Sequence, residues 1–146
     1  MADFLDRECK IDALLRLDGR ITTVCSRVHR VPPDGRPYNT FTLGLGTGPD
    51  SNAQYPALRR ALDGYGSLRP YYVIEAYVSE ACDQLLSVGV IPAEALIKFV
   101  SERLFLKDGR WDTYDTDLWI DASQSVCSVA WKHLTGHQLR TWFTGG

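Results

Sequence analysis

Ser67-Leu68-Arg69-Pro70-Tyr71-Tyr72-Val73-Ile74-Glu75-Ala76-Tyr77-Val78-Ser79-Glu80-Ala81-Cys82-Asp83-Gln84-Leu85-Leu86-Ser87-Val88-Gly89 carries the clearest helical pattern in the chain. Ile74, Val78, Ala81, Cys82, Leu85 and Val88 recur three or four apart. Glu75, Ser79, Glu80, Asp83, Gln84 and Ser87 fill the opposite side. That is the spacing of an amphipathic helix. Ser67 stands where a capping hydroxyl belongs, Pro70 suits a first turn, and Gly89 suits the residue just past the last turn. The pattern predicts a helix over 68–88, with Cys82 in its apolar stripe. Pro92 opens a second helix, 92–106, with Leu96, Phe99, Val100 and Leu104 as its stripe. The link Gly89-Val90-Ile91 is short, so the two helices should be neighbours.

On the N-terminal side, the alternation of Ile11, Ala13, Leu15 and Leu17 with Lys10, Asp12 and Arg16 predicts a strand over 9–17. A helix over 3–17 is the competing reading, because Leu14 and Leu15 also fit a helical stripe. Asp18-Gly19 supplies a hairpin turn into a second strand, 20–31. Asp-Gly recurs at Asp34-Gly35 and Asp108-Gly109, each read as a tight turn. Pro32, Pro33 and Pro37 make 31–37 a rigid loop. Tyr38 to Leu45 alternates again, with Phe41, Leu43 and Leu45 on the core side, and predicts a third strand in the same meander. The run Gly44 to Asn52 is glycine-rich but lacks the Gly-Lys-Ser/Thr ending of a phosphate loop, so it is read as a turn. A short helix over 56–62 is expected, closed by Gly64 and Gly66.

After Asp108-Gly109 three strands are expected, at 110–121, 125–134 and 138–143. The first has the most unusual face. Read as one strand, Tyr114, Thr116, Leu118 and Ile120 point to the core. Trp111, Thr113, Asp115, Asp117, Trp119 and Asp121 then point away from it. A buried face could not hold three unpaired carboxylates, and a merely solvated one needs no tryptophan. Trp131 shares parity with Cys127 and Val129, which predicts a core position. Trp142 shares parity with Arg140 and Gln138, which predicts partial exposure.

The chain of 146 residues supports a single domain, 1–146. Residues 1–70 hold ten Lys/Arg against eight Asp/Glu, and residues 71–146 hold six against ten. The acidic second half argues against nucleic acid and suits a basic protein partner. Cys9, Cys25, Cys82 and Cys127 are scattered without metal spacing, and His133 with His137 has no third ligand signalled, so no metal or cofactor is expected. Cys25, Arg27 and His29 share one strand face, a weak signal for thiol chemistry. The first residues lack a basic and apolar leader, and no apolar run reaches 18 residues. The sequence therefore predicts a cytoplasmic location without membrane insertion.

These observations predict an α+β fold: an antiparallel sheet from N- and C-terminal meanders, with a two-helix layer packed on one face. The expected function is a non-enzymatic soluble binding protein without catalytic residues. Trp111, Asp112, Asp115, Asp117, Trp119 and Asp121 would engage a protein with a basic surface, as an immunity or antitoxin protein engages a toxin. The alternative is a small enzyme or ligand-binding domain that takes a carbohydrate or another polar small molecule on the same Asp/Trp face. A concave face would favour the ligand, and a flat one the protein.

Overall fold

The computed structural model describes residues 13–17, 20–64, 71–123 and 125–144. Its elements in chain order begin with β1 (Ala13–Leu17), β2 (Arg20–Val31), β3 (Thr40–Gly44), α1 (Gln54–Gly64), β4 (Tyr72–Ser79) and β5 (Leu85–Pro92). They continue with α2 (Ala93–Ser101), β6 (Leu104–Lys107), β7 (Arg110–Thr113), β8 (Leu118–Ile120), β9 (Val126–Ala130), a 3-10 turn at Trp131–His133, and β10 (Arg140–Phe143). The α+β class holds, with helices layered against sheet. One sheet has the order β1-β2-β4-β5-β10, a second has β3-β9-β8, and β6-β7 is a hairpin.

β1 and β2 pair antiparallel from Ala13 against Val24 to Leu17 against Arg20, so the hairpin reading holds where the chain is described. Residues 9–12, the Asp18-Gly19 turn, the Gly66 stop and the Ser67 cap lie outside the described residues.

The helix expected over 68–88 is instead the hairpin β4–β5. Val73, Glu75 and Tyr77 are buried on β4, and Ser87 and Ile91 on β5, which is a period of two. The helical impression came from Ile74, Val78 and Val88. They lie half-buried on the other side of the same strands, and an apolar second face blurs the two periods. Tyr72-Val73-Ile74 and Tyr77-Val78 are β-branched and aromatic residues that suit a pleated surface. The reversal falls at Glu80–Asp83, where Cys82 takes φ +61°. There Ser79 Oγ accepts from Asp83 N at 3.2 Å and from Gln84 N at 3.1 Å. Cys82 is therefore exposed rather than core. Gly89 ends no helix: it sits within β5 beneath the Trp131 indole, where a Cβ would come within 2.5 Å of Cε2.

The second helix is α2, which stops at Ser101, five residues before the expected end. Arg103 closes it. Its Nη1 donates to Phe99 O at 3.0 Å and its guanidinium lies 3.5 Å from the Phe99 ring centre. Leu104 is buried as expected, but in β6. Asp108-Gly109, both at positive φ, joins β6 to β7 as the tight turn foreseen.

The expected third strand forms as β3, but it does not extend the N-terminal meander. It pairs with β9, from Thr40 against Ala130 to Gly44 against Val126. The chain then crosses through α1 and returns as β4, parallel to β2. One core joins these layers. Phe41, Leu43, Leu118, Cys127 and Val129 enter it from the small sheet, and Val73, Tyr77 and Ile91 from the large one. Leu58, Leu96, Phe99 and Val100 enter from the helices.

Candidate functional site

The segment 110–121 is two strands in two different sheets. β7 pairs with β6, and β8 with β9. Residues 114–117 form a loop between them, so the single acidic face does not exist as such. Trp111 is buried against Tyr55, and its Nε1 donates to Gly46 O at 3.0 Å. Trp119 is 59% exposed, and Tyr114, expected in the core, is 71% exposed.

The aspartates are spent largely on this loop. Asp112 Oδ1 accepts from Thr113 N at 2.8 Å, and Asp115 Oδ1 from Asp117 N at 3.0 Å. Asp115 Oδ2 lies 3.1 Å from Arg103 Nε, an ion pair without the alignment of a hydrogen bond. Asp121 accepts from Ser123 Oγ and Ser125 N. Partial desolvation pulls its carboxyl up, but these bonds outweigh it and hold the group below its usual range. Asp112, Asp115, Trp119 and Asp121 still border a shallow groove of about 520 Å³.

A larger cleft lies elsewhere, at the seam between the two main sheets. It encloses about 790 Å³. Its floor is the outward face of the small sheet. Trp119 sits opposite Ser128, and Thr42 sits opposite Ser128 on the other side, so Trp119, Ser128 and Thr42 form one row. The end of β2 and the proline loop contribute His29, Arg30, Arg36 and Tyr38, and the turn after β9 contributes Lys132 and His133. Asp117 reaches this cleft too, with Oδ1 3.6 Å from His133 Nδ1. Arg30, Arg36 and Lys132 make no ion pair among the described residues.

Beneath the floor, Glu75 bridges the sheets. It is wholly buried on β4. Its Oε1 accepts from Thr42 N of β3 at 2.6 Å, and its Oε2 meets His29 Nε2 of β2 at 2.8 Å. Burial pushes the Glu75 carboxyl up, against the lowering effect of His29, Thr42 N and Arg27. Tyr77 supports the same seam: its hydroxyl donates to Thr40 O and accepts from Thr40 N, each at 3.1 Å. Its ring stacks on His29 at 4.9 Å between centres. Burial also raises the Tyr77 hydroxyl.

Of the residues expected at the site, Asp117 and Trp119 line this cleft, Asp112, Asp115 and Asp121 border the shallow groove, and Trp111 is core. Sequence reasoning missed Glu75, which it placed on the solvent side of a helix. The available signal was an acid between Val73 and Tyr77 at strand parity. Among the described residues no group of three His, Cys, Asp or Glu is arranged to hold a metal ion, and no helix is long and apolar enough to cross a membrane.

No family model, curated protein or solved structure matches this chain.

Proposed function

We infer that this domain binds an anionic small molecule bearing a planar ring, in the cleft between its two main sheets. One observation carries the reading: Arg30, Arg36 and Lys132, unpaired among the described residues, share a cleft of about 790 Å³ with the exposed rings of Trp119 and Tyr38. Three cations against the single lining carboxylate, Asp117, attract an anion into the cleft. An indole and a phenol held at its edge give an aromatic ligand two surfaces to stack on. The volume is that of an ordinary small-molecule site. Two thiols that are free among the described residues, Cys82 and Cys127, fit a reducing cytoplasm.

Adenosine 5′-monophosphate, adenosine and inorganic phosphate form a suitable probe set for calorimetric titration. The monophosphate should bind tighter than either half alone. Arg36→Ala and Lys132→Ala should each weaken it about tenfold, as expected for one lost charge-assisted contact. Equal binding of adenosine and its monophosphate, or indifference to both substitutions, would sink the reading.

A protein partner with a basic surface, bound as an immunity or antitoxin-type inhibitor binds its toxin, is the second reading. It draws on the shallow groove, where Asp112 and Asp115 stand beside the exposed Trp119 and Tyr114. Asp112→Lys is its test, because among the described residues the Asp112 side chain bonds only its neighbour Thr113 N in the same strand. Loss of a captured basic protein with this variant, and retention with Arg36→Ala, would favour it over the cleft.

A further inference from the structure

The anion cleft holds more chemistry than binding requires. Two of its lining side chains are histidines, and each meets a carboxylate: His29 with Glu75 at 2.8 Å, and His133 with Asp117 at 3.6 Å. The two pairs are built differently. Glu75 has no exposed surface, and its other oxygen is fixed by Thr42 N at 2.6 Å. Its hold on His29 Nε2 therefore sets the ring's position, and stacking on Tyr77 sets the ring's plane. With Nε2 committed, Nδ1 is the nitrogen left to a ligand, and it has no partner among the described residues. A buried carboxylate on one nitrogen keeps that nitrogen protonated, leaves the other as a base, and stabilises the imidazolium that forms. Asp117 is half-exposed and its contact with His133 is looser, which suits a histidine that carries its proton to a leaving group.

We propose that the cleft hydrolyses phosphate esters, with His29 as general base, Glu75 as its positioning residue and His133 as general acid. The proposal rests on the anion-binding reading and adds the reaction to it. His29 Nδ1 takes a proton from a water molecule, and the water oxygen forms a bond to phosphorus. The bond from phosphorus to the ester oxygen breaks, and its electron pair leaves with that oxygen. The departing oxygen takes the proton from the protonated His133. The products are an alcohol and a phosphate with one ester fewer. The two histidines return to their starting states by exchanging protons with solvent. Arg30, Arg36 and Lys132 offset the charge that gathers on the remaining phosphate oxygens.

The reaction makes pH a test. The charged and titratable groups around His29 are Glu75 and Tyr77 on β4, Arg27 and Arg30 on its own strand, and Arg36 and Tyr38 from the proline loop. Lys132, Asp117 and His133 complete the cleft around it. Only neutral His29 can accept the proton, so activity should fall on the acid side.

The experiment is release of nitrophenolate from p-nitrophenyl phosphate and bis(p-nitrophenyl) phosphate by the full chain, across pH, with adenosine 5′-monophosphate binding measured in parallel. Turnover above buffer is expected with at least one ester. His29→Gln should lower kcat about 100-fold or more and flatten the acid limb of the profile. Glu75→Gln should lower kcat about tenfold with little change in KM, the mark of a positioning residue. His133→Gln should lower hydrolysis of β-glycerophosphate more than that of p-nitrophenyl phosphate, because an alkoxide needs the proton more than a nitrophenolate does. Circular dichroism and melting of each variant separate lost chemistry from lost fold. A wild type that binds the monophosphate but releases nitrophenolate from neither ester overturns hydrolysis and leaves the binding reading standing. A wild type that does neither overturns both. Equal turnover by wild type and a folded His29→Gln variant also overturns the proposal.

Discussion

Glu75 Oε2 and His29 Nε2 meet at 2.8 Å on neighbouring parallel strands, with the carboxylate wholly out of reach of water. The pair joins the large sheet to the small one, because the other carboxylate oxygen accepts from Thr42 N. Burial raises the Glu75 carboxyl above its ordinary value of 4.5, against the lowering effect of its partners. A carboxyl raised in the folded state supports the fold fully below its unfolded value, and that support is lost as pH rises through the folded value. Wild type should therefore lose stability relative to Glu75→Gln as pH rises from about 4.5. Glu75→Ala leaves Thr42 N and His29 without their partner and should destabilise by about 2–4 kcal/mol. Urea titrations at several pH values check both statements. A gap between wild type and Glu75→Gln that does not move with pH would count against the first.

Thiol reactivity should divide the cysteines by place in the fold. Cys127 is buried in β9, and burial pushes its thiol up to about 12, so almost no thiolate forms near neutrality. Cys82 stands exposed at the β4–β5 turn. In a Cys9→Ser background, a disulfide reagent on the native protein should label Cys82 promptly. Cys127 should react only on unfolding. Prompt labelling of Cys127 would contradict its placement in the core.

Gly89→Ala tests the contact that ties β5 to the turn after β9. The added Cβ would fall 2.5–2.9 Å from three atoms of the buried Trp131 indole. The ring also packs on Phe41 and Tyr77, at 5.9 and 5.8 Å between centres, so it has little room to retreat. Overpacking of this kind costs about 1–3 kcal/mol. Chemical denaturation should show that loss. Unchanged stability would mean the indole moves freely.

The parts legible in the sequence are those where one pattern had one meaning. Phe41, Leu43, Cys127 and Val129 alternate cleanly in strands with one apolar face, and all are buried as their parity implies; Trp131 is buried too, though in the 3-10 turn that ends the strand expected over 125–134. Asp108-Gly109 is a tight turn for a local reason, the positive φ at both residues. β4 and β5 misled because both of their faces carry apolar side chains, which removes the contrast that separates a period of two from one of 3.6. The acidic strand misled through register. Four loop residues, Tyr114 to Asp117, break the alternation between Trp111 and Trp119 and carry the chain from one sheet to another. Strand parity with Val73 and Tyr77 could turn Glu75 inward, but the seam it bridges was not legible. It depends on β3 leaving the N-terminal sheet to pair with β9, a long-range choice that local spacing does not encode.

The two indoles of the segment 111–121 offer the sharpest contrast, since the sequence pairs them and the fold parts them. Trp111 is 6% exposed, packs edge-on against Tyr55 and spends its N–H on Gly46 O. Trp111→Ala should therefore cost about 3–5 kcal/mol, as large aromatic truncations in cores do. Trp119 is 59% exposed at the edge of the cleft. Trp119→Ala should change stability by less than about 0.5 kcal/mol, as surface substitutions generally do, while weakening adenosine 5′-monophosphate binding. Its fluorescence should also respond to that ligand in a Trp142→Phe background, because the buried Trp111 and Trp131 are shielded from the cleft's contents. Equal destabilisation by the two alanine variants would refute the split between core and cleft. Unaltered binding by Trp119→Ala would remove the stacking surface from the proposed site and leave the cations alone to explain recognition.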